Sequence, residues 1–177
     1  FALRDIALAQ ASASRDIAMA LVKVGDVEQA LEVAQKIEDA STKTSVLRSI
    51  ALALVKAGDV EQAVEVAQKI ENARTKTSTL RDIALTQVEA GDKQQALAML
   101  KLAVEVAQKI EGSFKASALR DIALALVKAG DVEQAVEVAQ KIEDARFKAS
   151  ALRDIALALA KTRDVEQALE VAQKIER

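Results

Sequence analysis

Residues Ser117 to Phe147 read SALRDIALALVKAGDVEQAVEVAQKIEDARF, and the rest of the chain is built from copies of this phrase. Leu119, Ile122, Ala123 and Leu126 recur at i, i+3, i+4 and i+7, the spacing of an amphipathic helix. Gly130 follows, and glycine closes a helix C-terminus in the left-handed conformation without steric cost. Asp131 comes next, with Gln134 three residues on, which is a capping box. In it the Asp carboxylate accepts from unpaired backbone N–H groups and the Gln side chain reaches back. Val132, Ala135, Val136, Ala139 and Ile142 then form the apolar stripe of a second helix. The phrase is two helices joined at a turn.

The same turn recurs along the chain. Gly25, Gly58 and Gly91 stand 33 residues apart, Gly130 follows after 39, and Arg163 occupies the slot 33 beyond that. A period in the thirties made of two helices signals stacked helical hairpins. The predicted fold is all-α, a right-handed α-solenoid of antiparallel helix hairpins with a 33-residue period. A single repeat domain spans 1–177, with a partial copy at 1–11 and hairpins at 12–40, 42–73, 74–112, 113–145 and 146–177. The Arg4 and Arg15 copies of the helix start lie 11 residues apart, about three turns. One continuous helix can therefore carry both on one face.

Two copies depart from the pattern. The third carries seven extra residues within ALAMLKL, nearly two turns of strong helix formers, which lengthen its second helix by about 10 Å in register. Gly112 then offers a helix C-cap. In the fifth copy, Thr162-Arg163 replaces the glycine turn, and a side chain in the left-handed region costs about 1 kcal/mol. That cost favours another turn geometry there.

Composition narrows the chemistry. Hydrophobic residues make up 51% and charged residues 29%, so the chain can bury a core and stay in water. Aromatics are 2% and Pro is absent, which leaves Ala, Leu, Val and Ile to build that core. Such side chains suit close helix packing more than a deep ligand cavity. Zero Pro and 5 Gly predict a chain well over half helical. The absence of Cys excludes disulfides and thiolate metal sites. The absence of His removes the commonest general base and metal ligand. Carboxylates abound, but they recur from copy to copy, whereas an active site is normally unique. No enzyme activity, cofactor or metal is expected. A net charge of −2 argues against a general polyanion binder. No apolar run approaches the ~20 residues of a membrane span and no signal peptide is visible, which favours an intracellular protein. The chain begins at Phe1, as a fragment or a processed product does.

Leu119, Ile122-Ala123, Leu126 and the turn Gly130-Asp-Val-Glu-Gln-Ala135 resemble the tetratricopeptide repeat family. The resemblance covers almost the whole chain and is most specific at the turn. Here the family's aromatics are aliphatic, the period is one residue short of the usual, and the terminal proline is missing. The pentatricopeptide family shares the Lys-Ala-Gly and Val-Glu-Gln-Ala phrases but has longer repeats. Regularity of this degree also suits a consensus-like or designed array.

The resemblance implies a non-enzymatic scaffold that binds a protein or peptide in a concave groove lined by one flank of each first helix. Carried over copy by copy, that flank holds an arginine ladder, Arg15, Arg48, Arg81, Arg120 and Arg153. Beside it run Ser45, Ser78 and Ser117, then Leu52, Leu85 and Leu124, with Lys56 and Lys128 at the margin. A cationic rim beside apolar side chains suits an acidic, partly apolar peptide, because the guanidinium fork can hold a carboxylate through two hydrogen bonds. The plainer reading ties each Arg to Asp16, Asp82, Asp121 or Asp154, or to acids of an adjacent copy. A self-assembling array is the alternative function, with Ala168, Val171, Ala172 and Ile175 of the last helix left to be covered by a second copy in an end-to-end homo-oligomer or by further repeats of a longer parent. Single-strand RNA reading by helical repeats is less favoured, because the net charge is negative and Tyr and Trp are absent.

Overall fold

The computed structural model describes residues 2–175, with side chains from Ala9 onward. Helix accounts for 81% of the chain, and the described residues contain no strand. The chain divides into two compact units, Phe1–Thr79 and Leu80–Arg177. The first holds α1 (Ala2–Lys23), α2 (Val27–Gln35), α3 (Ala40–Ala57) and α4 (Val60–Gln68). The division falls within α5 (Ala73–Ala90). The second unit continues through α6 (Lys93–Ala107), α7 (Ser113–Ala129), α8 (Val132–Gln140), α9 (Ala145–Lys161) and α10 (Val165–Gln173).

Within each unit a long first helix packs on the short second helix of its own hairpin and on the next hairpin. In the first unit α1 packs on α2 and α3, and α3 on α4. In the second, α7 packs on α6, α8 and α9, and α9 also meets α8 and α10. The 3.6-residue stripe decides what goes inside: Leu119, Ile122, Ala123 and Leu126 on α7 are buried, as are Ala135, Val136, Val138, Ala139 and Ile142 on and after α8. Each large aliphatic side chain removed from water this way contributes about 1.5–3 kcal/mol. Glu133, Glu137, Gln140 and Lys141 lie on the exposed back.

The turn forms by the capping chemistry its residues dictate. Gly130 has φ of 92°, and the Asp131 N–H donates to the Leu126 carbonyl at 2.9 Å. The Asp131 carboxylate then accepts from the Gln134 N–H at 3.0 Å and starts α8. The last turn keeps this geometry instead of changing it. Arg163 adopts φ of 66°, and the Asp164 N–H reaches the Leu159 carbonyl at 3.0 Å. The packing of α9 on α10 holds the backbone there despite the side chain.

The third hairpin is extended: α6 has 15 residues where α4 and α8 have 9. Gly112 does not cap α6, which ends at Ala107 with Gln108 as its C-cap. It stands at the start of α7 with φ of 67° and ψ of −156°, a region essentially restricted to glycine. The segment between α6 and α7, residues 108–112, is one residue longer than its counterparts 36–39, 69–72 and 141–144, and no side chain caps α7. In the corresponding places Asp39 and Asp144 cap α3 and α9.

Candidate protein-interaction surface

The first-helix flank differs along its length because charge and neighbours differ. In the first unit Arg15 and Asp16 are exposed, Arg48 and Leu52 half-buried, and Ser45 and Lys56 exposed. Position 49, which holds an Asp in the later copies, is Ser49, whose hydroxyl donates to the Ser45 carbonyl at 2.9 Å. The copy after Arg15 therefore offers no carboxylate at that place. Ser78, half-buried, donates to the Thr75 carbonyl at 3.1 Å.

In the second unit the arginines tie one hairpin to the next. Arg81 donates through Nη1 to Asp121 at 2.9 Å, while its Nη2 and Nε hold Asp82 at 2.8 and 3.1 Å. Arg120 reaches Asp154 of the following hairpin through Nε at 2.6 Å, and its Nη2 pairs with the same carboxylate oxygen. Among the described residues Arg153 pairs with its neighbour Asp154, at 3.3 Å, and its side chain is 65% exposed. These pairs, spanning 34 to 40 residues, commit the forks of Arg81 and Arg120 to carboxylates within the unit. What remains open on the flank is apolar and basic. Leu85 and Leu124 are half-buried, and Ser117 and Lys128 are exposed.

On α10, Ala168 and Val171 are buried and Ala172 is half-buried, with Ile175 beyond it also half-buried. The exposed apolar side chains of that helix are Val165 and Leu169.

A feature absent from the sequence reading lies at the hairpin junctions. A cleft of about 730 Å³ opens between the end of α6, the start of α7 and the segment from Lys141 to Phe147. Lys115 pairs with Glu143 across it at 3.4 Å. The available signal was the recurrence of Phe114 and Phe147, 33 residues apart, in the slot that holds Thr42 and Thr75 in earlier copies. At its rim the backbone N–H groups of Phe147 and Arg146 hold the Asp144 carboxyl below the ordinary carboxylate range. Asp39 is lowered likewise, first by the Thr42 side chain and then by its N–H. Both shifts are those of helix caps. Among the described residues no cluster of acids could hold a metal ion, and no helix is long and apolar enough to cross a membrane.

Helical hairpins closed by a left-handed residue and an Asp cap, and linked by recurrent Arg–Asp pairs, define a helical-repeat protein. The tetratricopeptide repeat family model matches residues 81–147 and 120–177, more than half of the chain. The chain belongs to the tetratricopeptide repeat family. Among solved structures it is similar to a Podosopora anserina chain described as a kinesin light chain with nearly identical TPR-like repeats. That match has 17% identity, a TM-score of 0.46, and coverage of 93% of this chain and 92% of that one. It is also similar to Ton1535 from Thermococcus onnurineus NA1, with 21% identity, a TM-score of 0.46, and 92% and 53% covered. MamA from Desulfovibrio magneticus RS-1 gives 19% identity, a TM-score of 0.41, and 94% and 93% covered. No curated protein matches the sequence. Proteins of this family are generally non-enzymatic scaffolds for protein–protein interaction.

Proposed function

We propose that the chain is a single array of five hairpins that binds an extended peptide along the first-helix flank, in the concave groove that family membership implies. The observation that carries this reading is the recurrence of leucines left half-exposed at positions 85 and 124, with exposed Ser117 and Lys128 beside Leu124 and exposed Glu89 in the lysine's place beside Leu85. Leu52 and Lys56 repeat the arrangement in the first unit. The leucines suit apolar side chains of the ligand, and the lysines, with Arg15 and Arg153, suit its acidic groups. Arg81 and Arg120 mainly position the hairpins, because their donors are already engaged. Arg48 belongs to the same flank. RNA reading is the weaker alternative: nucleic-acid binding that falls steeply between low and moderate salt would favour it.

The test is a displayed library of extended peptides bearing Asp, Glu, Leu and Phe, selected on the intact chain. Selected peptides should bind Leu124→Glu and Lys128→Glu more weakly, by about tenfold or more, with melting temperature unchanged. Peptides that bind these variants as well as the parent would reject the groove.

A further inference from the structure

Given the groove proposed above, on which this rests, we infer that Glu89 sets the charge order of the bound peptide: the ligand carries a basic residue over α5 and an acidic residue over α7. Four first helices carry a lysine in their last turn, Lys23, Lys56, Lys128 and Lys161. In α5 that slot holds Glu89, and its last turn has no basic residue. The backbone carbonyls at a helix C-terminus favour a cation and disfavour a carboxylate. Local folding therefore selects Lys here, and Glu89 runs against it. Glu89 is exposed, and among the described residues no ion pair recovers the difference. Lys93, four residues on, extends toward the next turn, its Nζ 3.8 Å from where a Cβ on Gly130 would stand. A residue that breaks a local rule without local compensation marks a functional position.

The same slot on the next first helix has the opposite sign. Arg81 of α5 holds Asp121 of α7 at 2.9 Å, so the two helices lie side by side within the second unit. One turn before the slot, Leu85 and Leu124 are both half-buried. Glu89 and Lys128 follow these leucines by four residues, which puts each on its leucine's helix face, and both are exposed. A ligand crossing α5 and α7 therefore meets apolar ground twice, with a carboxylate beside the first patch and an ammonium beside the second. Packed helices run about 8–10 Å apart, and an extended chain rises about 3.3 Å per residue. The ligand's basic and acidic residues thus stand about three positions apart, with apolar residues beside them. A uniformly acidic peptide is disfavoured on this stretch, because its carboxylate over Glu89 meets like charge.

The experiment is selection on the full chain from a displayed library of extended peptides in which Lys and Arg join Asp, Glu, Leu and Phe. Selected sequences should pair a basic residue with an acidic one about three positions away, in either chain direction. Glu89→Lys should weaken binding of the selected peptides about tenfold or more, with a melting temperature no lower than the parent's, since lysine suits the helix end. Replacing the basic residue of a selected peptide by Glu should weaken its binding to the parent and restore it on Glu89→Lys. Glu89→Gln should give intermediate affinity for both peptides. Lys128→Glu separates the charge order from the groove itself. If Lys128→Glu weakens binding and Glu89→Lys does not, the groove stands and the charge order is overturned. If neither variant weakens binding, the peptides lie elsewhere and both are overturned. Selected peptides that are uniformly acidic and bind Glu89→Lys more tightly than the parent would also overturn the charge order.

Discussion

The hairpin α7–α8 and the hairpin α9–α10 are nearly the same sequence in two settings. SALRDIALAL in one faces SALRDIALAL in the other, and VEQAVEVAQ faces VEQALEVAQ. Their stripes are buried alike: Ile122 and Ile155 are both inaccessible. Their outward sides are not alike. Val136 is covered and Leu169 is open, and Arg120 grips the next hairpin while Arg153 pairs with its neighbour Asp154. Local pattern places a side chain on a face, and the following hairpin decides whether that face meets protein or water.

The largest expected effect tests cover from the preceding side. Ile122→Ala and Ile155→Ala should each cost about 2–5 kcal/mol, as buried large-to-small changes do. Ile17→Ala should cost under about 1 kcal/mol at a concentration where the chain is monomeric. Urea unfolding followed by circular dichroism measures all three, and an equal cost at Ile17 would break the comparison.

A smaller effect separates the arginines. Asp154 is nearly buried and receives Arg120 through two donors, whereas Arg153 is mostly exposed. Arg120→Ala should cost about 1 kcal/mol and Arg153→Ala a few tenths, about the range of partly exposed and exposed pairs. The turns differ in the opposite sense. Arg163 sits at a left-handed φ where Gly130 carries no Cβ, so Arg163→Gly should stabilise the chain by about 1 kcal/mol, read as a higher melting temperature.

The smallest contrast is in acid. The Asp144 carboxyl, held low by the Phe147 and Arg146 N–H groups, caps α9, whereas α7 begins at Gly112 without a side-chain cap. A group depressed in the folded state stabilises it above the unfolded value of ~3.9, and that contribution is lost as pH falls through the lower folded value. Protection of the first-turn amides of α9, measured relative to their intrinsic exchange rate at each pH, should therefore fall as the pH drops below about 4, with no matching change at α7.

Much of this was legible in the sequence, because helix period and capping are local. The stripe through Leu119, Ile122 and Leu126 and the Gly130-Asp131 turn follow from residues within a few positions of one another. The pairing of Arg120 with Asp154 does not, since it joins residues 34 apart through helix packing. The stripe on α10 pointed to Ala168 and Val171, which α10 turns inward, while Val165 and Leu169 stay open. Repetition itself hides the ends: a copy that lacks a neighbour is spelled almost like one that has it. Gly112 was misplaced for a similar reason, because a glycine between two helices can end one or begin the other, and only its φ and ψ distinguish the two.

The most direct test of the claim that neighbours set the environment is amide hydrogen exchange on the monomeric chain, comparing α8 with α10. The two helices differ by one residue, Val136 against Leu169, so intrinsic propensity is nearly matched. The account predicts that α8 amides exchange slower than α10 amides by roughly tenfold or more, since α8 is covered on both sides. Equal protection of the two helices would contradict it.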